Sequence, residues 1–161
     1  MNRIEKIFNN KLFMDNLNKL NVLEENRLFC KHGLTHLMDV ARLMYIYNLE
    51  DNALIPKDII YATALLHDLG RVKEYEEGIS HDEGSVMLAK LILPECGYDK
   101  EEVDDICEAI LHHRSNSCGE LRDTLSMYLK AADKKSRPCF TCEAKNECNW
   151  PIDKRNMFFL L

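Results

Sequence analysis

The sequence has no long apolar run, no excess of basic residues and no stretch that alternates like a β-strand. No apolar run approaches the ~20 residues that a helix needs to cross a bilayer. Residues 1–13 lack the basic start, long apolar stretch and small-residue cleavage site of a signal peptide. The formal net charge is −6, which argues against general nucleic-acid binding because that activity needs a basic surface. We therefore expect a cytoplasmic protein that neither enters membranes nor coats nucleic acid.

The chain does have the composition of one soluble globular domain. It contains 161 residues, of which 46% are hydrophobic and 30% are charged, as in ordinary globular proteins. Apolar residues recur at helical spacing through most of the chain, and no repeat, low-complexity segment or linker divides it. We predict an all-α fold with a single compact helical bundle over residues 1–137. A short cysteine-containing tail, residues 138–161, is expected to pack on the same domain.

Capping and helix-breaking residues predict where the helices begin and end. Pro56 suits the first turn of a helix, and Gly70 suits a helix end. Ser80 and Glu83 have the spacing of a capping box. The charged residues 73–78 are interpreted as a loop. The predicted helices cover residues 3–28, with a break near residue 9, 10 or 16, and residues 36–47, 56–70, 81–93, 99–114 and 121–137.

Residues 62–73, ATALLHDLGRVK, form an apolar run that ends in the dipeptide His67-Asp68. A buried helix does not normally end in a bare imidazole and a bare carboxylate, because burying an unpartnered carboxylate costs several kcal/mol. A divalent metal would satisfy both groups, since neutral imidazole and ionised carboxylate are good ligands for first-row metals. The dipeptide therefore predicts a metal site.

Other histidines and one aspartate also lie near predicted helix ends or on apolar faces. Taken alone, a histidine on an apolar helix is more often a satisfied core or surface residue. Together the residues come from five predicted elements, and helices of one small bundle can direct such side chains into a single cavity. The set is His36, His67-Asp68, His81, His112-His113 and Asp133.

The spaced pattern of His36, His67-Asp68 and Asp133 resembles that of the HD-domain superfamily of metal-dependent phosphohydrolases. The surrounding segments HLMDVARLM, LLHDLGR and KAADKKSR are similar too. The segments HDEGSVMLAKLIL and ILHHRS resemble those that carry further ligand histidines in two-metal members, the HD-GYP phosphodiesterases and the HD-type dinucleoside tetraphosphatases. The resemblance covers about residues 28–137. No GYP portion follows His113, which argues against a cyclic dinucleotide substrate.

The resemblance implies two divalent transition metal ions. It implies that one ion is held by His36, His67, Asp68 and Asp133. It implies that the second ion shares Asp68 and is also held by His81 and His112. Neighbouring residues on a helix point about 100° apart, so His113 is expected to contact substrate phosphate unless the helix has ended there and it becomes a further ligand. A site of nitrogen and oxygen ligands suits iron, manganese, cobalt, nickel or zinc and does not choose among them.

The expected function is metal-dependent hydrolysis of a phosphoester or phosphoanhydride in a small phosphorylated substrate, a nucleotide by resemblance. Two metal ions can clamp phosphate oxygens and activate a water molecule for this reaction. The residues expected to act in catalysis are Asp68, His113 and Arg71. The candidate phosphate contacts are Arg71, Arg114, Lys134 and Arg137. The alternatives are a non-hydrolytic nucleotide- or redox-sensing module and an oxygen-using di-iron oxidase.

The tail contains three of the seven cysteines, Cys139, Cys142 and Cys148, in a C-x2-C-x5-C pattern. Such spacing indicates a zinc site or an iron–sulfur cluster, and the alternative is three reduced structural cysteines. The motif lacks a fourth ligand, which could be an external group or one of Cys30, Cys96, Cys107 and Cys118. Because the motif begins six residues after Asp133, we expect the tail near the mouth of the site.

Overall fold

A computed structural model describes residues 1–113 and 121–158 of the chain, leaving out the side chains of residues 121–123. These residues form eight α-helices and two short 3-10 helices and contain no β-strand, so the all-α prediction is confirmed. No helix in the described part is long and apolar enough to cross a membrane. The helices are α1 (Arg3–Asn9), α2 (Lys11–Leu23), α3 (Leu34–Glu50), α4 (Lys57–Leu66), α5 (Arg71–Glu77), α6 (His81–Glu95), α7 (Lys100–His112) and α8 (Leu121–Lys135).

The amino-terminal helical segment breaks at Asn10. The Asn10 side chain accepts a hydrogen bond from the backbone amide of Phe13 and thereby caps α2. Asn16, the other predicted position for a break, lies inside α2, where its side chain donates to the carbonyl of Leu12. The break lets α1 and α2 each bury an apolar side chain, Ile7 and Phe13, in the core.

Helix α4 is the central helix of the bundle. Seven of its ten residues are buried, and it packs against α1, α3, α6, α7 and α8. A helix that is apolar on every side is stable only when it is surrounded by other elements. The residues that follow its carboxyl end, His67 and Asp68, therefore lie in the middle of the bundle and are themselves buried.

The prediction is wrong in the stretch after α4, where residues 71–77 form helix α5 and not a loop. Only Val72 of α5 is buried, and its exposed charged residues make its sequence resemble that of a loop. Lys73 and Glu77 form an i,i+4 ion pair on this helix. Gly70 does not end α4, which stops at Leu66, but precedes α5. Its φ angle is −67°, so a positive φ is not the reason for glycine here.

The turn from His67 to Gly70 lies directly against α6. A Cβ atom on Gly70 would stand 2.1 Å from the backbone nitrogen of Ser85 and 2.3 Å from the carbonyl oxygen of His81. The Gly70 amide donates to the Ser85 hydroxyl (2.9 Å), which donates to the His67 carbonyl (2.6 Å). Glycine is thus required for close approach, and the approach holds the His67-Asp68 turn against the amino end of α6.

Helix caps place the remaining elements as the sequence predicts. The Ser80 side chain caps α6, and Asp99 with Glu102 forms a reciprocal capping box at α7. The described part of the tail, residues 138–158, contains only the two 3-10 helices, Cys139–Thr141 and Ile152–Lys154. The division between bundle and tail as domains stays a prediction.

Candidate metal centre

Two helices and the turn after α4 bring the first group of predicted ligands together. His36 lies in the first turn of α3, His67 and Asp68 follow α4, and Asp133 lies in the last turn of α8. His36 Nε2 is 3.4 Å from Asp68 Oδ2 and 3.4 Å from Asp133 Oδ1, and His67 Nε2 is 3.2 Å from Asp68 Oδ2. One ligand atom from each of the four residues lies within 4.8 Å of the others. We call these four residues the first cluster.

A second cluster, His81, Asp82 and His113, lies beside the first. His81 Nε2 is 2.8 Å from Asp82 Oδ1, and His113 Nε2 is 3.9 Å from the same oxygen. These atoms also lie within 4.8 Å of one another. Asp68 joins the clusters, because its Oδ2 faces the first and its Oδ1 is 3.8 Å from His81 Nε2.

Hydrogen bonds on the outer ring nitrogens orient the histidines toward the clusters. His67 Nδ1 bonds the Ala64 carbonyl (2.7 Å), and His113 Nδ1 bonds the Ile110 carbonyl (2.6 Å). A carbonyl can only accept, so Nδ1 carries the proton and the Nε2 lone pair points into the cluster. His36 and His81 likewise place Nδ1 near Ser136 Oγ (3.4 Å) and Glu74 Oε1 (3.3 Å). Metal-binding histidines typically have such outer partners.

The inward-facing atoms of both clusters fit a metal ion. Nε2 of His36, His67 and His81 and Oδ2 of Asp68 are buried, and none has a hydrogen-bond partner among the described residues. A buried polar atom left without a partner costs about 1–3 kcal/mol, so four such atoms at one place need an explanation. A divalent cation accepts lone pairs from all of them and balances the carboxylates. The donor set of imidazole and carboxylate suits a first-row transition metal.

The charges within the first cluster shift its pKa values strongly. Burial opposes protonation of His36, but the carboxylates of Asp133 and Asp68 outweigh burial and raise the pKa of His36 to about 9. Burial would raise the pKa of Asp68, but His67, His36 and Arg71 hold it well below its ordinary value. Burial would likewise raise the pKa of Asp133, but His36, His67 and Arg137 hold it below its ordinary value. Both aspartates are therefore ionised and able to bind a cation at neutral pH.

Two of the predicted phosphate contacts, Arg71 and Arg137, hydrogen-bond to carboxylates of the first cluster. Arg71 Nε donates to Asp68 Oδ1 (2.9 Å), and Arg137 Nη2 donates to Asp133 Oδ1 (3.0 Å). Both arginine side chains are only 12% exposed. They orient the two carboxylates through these bonds. Lys134 is exposed, and Arg114 lies outside the described residues.

The structure places His113, and not His112, in the second cluster. His113 is 3% exposed, whereas His112 is exposed at the end of α7. Successive residues at a helix end point in directions about 100° apart, so only one of the pair can face the site. The ligand role that the resemblance implies for His112 therefore fits His113 better.

Sequence analysis missed Asp82 and Glu24. Asp82 belongs to a second His-Asp dipeptide, His81-Asp82, which was a signal of the same kind as His67-Asp68. Glu24 is buried and accepts hydrogen bonds from His32 Nδ1 (2.7 Å) and the Tyr75 hydroxyl (2.9 Å). The His32 ring stacks edge-on against His36 at 5.6 Å. No sequence spacing indicates Glu24.

Two cavities adjoin the first cluster on the side of the tail. The larger, about 380 Å³, includes His36, Ser136 and Arg137 in its wall. The smaller, about 280 Å³, is lined by five basic side chains and, within the described residues, by no carboxylate. Those basic residues are Arg27, Arg71, Arg137, Lys154 and Arg155. Such a cavity attracts anions although the whole protein is acidic.

The chain is similar to known proteins in sequence and in fold. A sequence profile of the HD domain family matches residues 33–137, a span that contains both clusters. An uncharacterized protein of Clostridium beijerinckii is 38% identical over 156 residues, which is 97% of this chain and 97% of that protein. The fold is similar to the crystal structure of a predicted HD superfamily hydrolase from an uncultured Thermotogales bacterium, with a TM-score of 0.62 and 21% identity over 89% of this chain and 81% of that one. The profile match alone covers more than half of the residues, and the chain belongs to the HD domain family.

Proposed function

We propose that this protein is a metal-dependent phosphohydrolase that cleaves a phosphoester or phosphoanhydride bond at a binuclear metal site. The observation that carries the proposal is Asp68, which stands between two histidine–aspartate clusters with one oxygen toward each. Membership of the HD domain family supports a metal-dependent hydrolase in general. The buried, unpartnered ligand atoms supply the reason why ions would bind here.

The proposed ligands follow the two clusters. The first ion takes His36, His67, Asp68 and Asp133. The second ion takes His81, Asp82 and His113 together with the shared Asp68. When bound, two such metal ions polarise phosphoryl oxygens and lower the pKa of a water molecule, so that hydroxide is available near neutral pH.

The chain's own residues position these groups and the substrate. The carbonyls of Ala64 and Ile110 hold His67 and His113 in the tautomer that leaves Nε2 unprotonated. Arg71 bonds Asp68 and also lines the smaller cavity. Its unused N–H groups can bind a phosphoryl oxygen close to the clusters, since a guanidinium donates through five N–H groups.

A nucleotide is the substrate class that the cavities support best. The larger cavity lies within the usual size range of small-molecule sites, about 300–1,000 Å³, and its wall includes the apolar Leu28, Phe29 and Pro138. Such a wall suits a base, and the cationic smaller cavity suits phosphates.

We also propose a cytoplasmic location, because of the composition of the sequence.

The test is phosphate release by the purified full chain from a panel of nucleoside mono-, di- and triphosphates. Each reaction contains one added ion, Mn²⁺, Co²⁺, Ni²⁺, Fe²⁺ or Zn²⁺. We expect turnover with at least one ion and a loss of at least about 100-fold in kcat/KM for Asp68→Asn, since even outer partners of metal ligands are worth 10–100-fold. Asp104→Asn makes the same chemical change at an exposed position on α7 and should keep full activity.

Two outcomes would contradict the proposal. Equal activity of Asp68→Asn and the unchanged protein would remove the binuclear site from the reaction. Tight nucleotide binding by the metal-loaded protein with no turnover of any substrate would favour the non-hydrolytic sensing module.

A further inference from the structure

The tail keeps a defined path with almost no core of its own. Of its described residues, 138–158, only Ala144 is buried. Its regular structure consists of two 3-10 helices of three residues each. A segment with so little buried apolar surface does not offset the entropy of ordering its backbone. Small metal-binding segments solve this problem by cross-linking through the ion.

The structure supplies the fourth cysteine that the tail motif lacks. Cys30, from the loop before α3, lines the same cavity as Cys139, Cys142 and Cys148. Besides burial, which raises the pKa of the Cys30 thiol, the nearby Cys139 and Cys142 raise it while Arg137 lowers it. The other two described cysteines, Cys96 and Cys107, are buried in the apolar core.

The sulfur atoms of the four cysteines are spread more widely than the ligands of a single zinc ion. Around one zinc ion, with bonds of about 2.3 Å, tetrahedral thiolates lie about 3.8 Å apart. No three of these four cysteines, all of which are described, bring their sulfur atoms within 4.8 Å of one another. In a four-iron cluster each thiolate binds a different iron atom, so the sulfur atoms stand farther apart.

The charge of the cavity suits an anionic tetrathiolate group. Beside the cysteines its wall contains one carboxylate, Asp39, and four basic residues, Lys31, Arg137, Lys145 and Arg155. Arg155 also fixes the loop that carries Cys148, because it donates to the carbonyls of Cys148 (2.6 Å), Lys145 (2.8 Å) and Trp150 (2.7 Å). Positive charge stabilises thiolates, the form of cysteine that binds metals.

We propose that Cys30, Cys139, Cys142 and Cys148 bind a [4Fe–4S] cluster. The cluster joins the loop before α3 to the tail and forms part of the wall of the cavity that His36 also lines. Arg137 connects the two sites, since it bonds Asp133 of the first cluster and stacks over Trp150 of the tail at 4.6 Å. The proposal does not depend on the hydrolytic activity.

The test measures iron and acid-labile sulfide in the full chain, reconstituted without oxygen from ferrous iron and sulfide. We expect about four sulfide ions per chain, as one [4Fe–4S] cluster holds, and a broad visible absorbance. Sulfide distinguishes this site from the histidine–aspartate clusters, which hold no sulfide. His67→Ala should therefore keep its sulfide, and Cys107→Ser, a change at a cysteine outside the cavity, should keep it too.

Cys30→Ser and Cys142→Ser test the ligands, with circular dichroism as the measure of helical content. Loss of sulfide and absorbance from either variant, with unchanged helical content, supports the proposal. A folded Cys30→Ser protein with the full sulfide content would overturn the role of Cys30. Finding one zinc ion without sulfide, or a disulfide in place of any metal, would overturn the proposal of an iron–sulfur cluster.

Discussion

The choice between His112 and His113 depends on the rotation of a single helix. In α7 the buried residues include Val103, Ile106 and Ile110, and the same spacing continues to His113, three residues after Ile110. His113 then donates Nδ1–H to the Ile110 carbonyl, which points Nε2 at the second cluster. Its neighbour is rotated away from the site and is exposed.

We predict that His113→Ala loses one of the two bound metal ions, whereas His112→Ala keeps both. The reason is that His113 Nε2 lies 3.9 Å from Asp82 Oδ1, whereas His112 is exposed at the end of α7. Elemental analysis of both variants after loading with Mn²⁺ measures the difference, and circular dichroism checks that each is folded. The reverse pattern, with the ion lost from His112→Ala, would restore the ligand assignment made from the family resemblance.

At this scale the sequence carried most of the information. His67 and Asp68 could be predicted because they are polar groups at the end of an apolar helix, whereas their grouping with His36 and Asp133 came from the resemblance to HD-domain proteins. Asp82 could also have been predicted from the second His-Asp dipeptide. The rotation of α7 could have been predicted from the spacing of its apolar residues. Glu24 could not be predicted, because an acidic residue at the end of α2 becomes a partner of His32 only when the chain folds.

The turn between α4 and α5 owes its position to the contact with α6. Gly70 lies so close to α6 that an added Cβ would meet backbone atoms of Ser85 and His81. Backbone atoms cannot move aside as the end of a side chain can. The contact therefore holds both His67-Asp68 and the first residue of α6, His81, in place.

We predict that Gly70→Ala lowers the free energy of unfolding by at least about 1–3 kcal/mol, the usual cost of overpacking. It should also weaken metal binding. Gly33→Ala is the matched control, because the close neighbour of its added Cβ is the end of the Asn21 side chain, which can move. Urea unfolding of the metal-free proteins measures stability. Equal stability of Gly70→Ala and the unchanged protein would show that the turn at Gly70 and α6 can move apart at little cost in free energy.

Element boundaries were predictable where a side chain forms the cap, as at Ser80 and Asp99. They were not predictable where packing alone decides. Helix α5 has one buried residue and many charges, so its local pattern is that of a loop. Gly70 was interpreted as a helix end because glycine is found both at helix ends and where two backbones come close together. The residue type alone does not distinguish the two.

Across the whole molecule, the two clusters connect elements that are far apart in the chain. Their ligands lie in α3, in the turn after α4, in α6, directly after α7 and in α8. Bound ions would thus cross-link most of the bundle. A ligand that binds only the folded state stabilises it in proportion to the logarithm of its concentration over Kd.

We predict that removing the bound ions with a chelator lowers Tm. An ion present at 100 times its Kd contributes about 2.7 kcal/mol, and a loss of 1 kcal/mol shifts Tm by about 2–4 °C in domains of this size. Differential scanning calorimetry before and after chelation measures the shift. In Asp68→Asn the shift should be much smaller, and in Cys30→Ser it should persist. If chelation leaves the Tm of the metal-loaded protein unchanged, the two clusters do not hold ions in the folded state.

The position of Asp133 near the end of the bundle also bears on how the protein matures. A ribosome adds Asp133 to the chain 97 residues after His36. Until α8 docks, the nascent chain offers an incoming ion a carboxylate fewer and no Arg137 to orient it. We therefore expect metal acquisition to follow synthesis of the bundle, so that a partly made chain does not yet compete for cellular metal with finished copies.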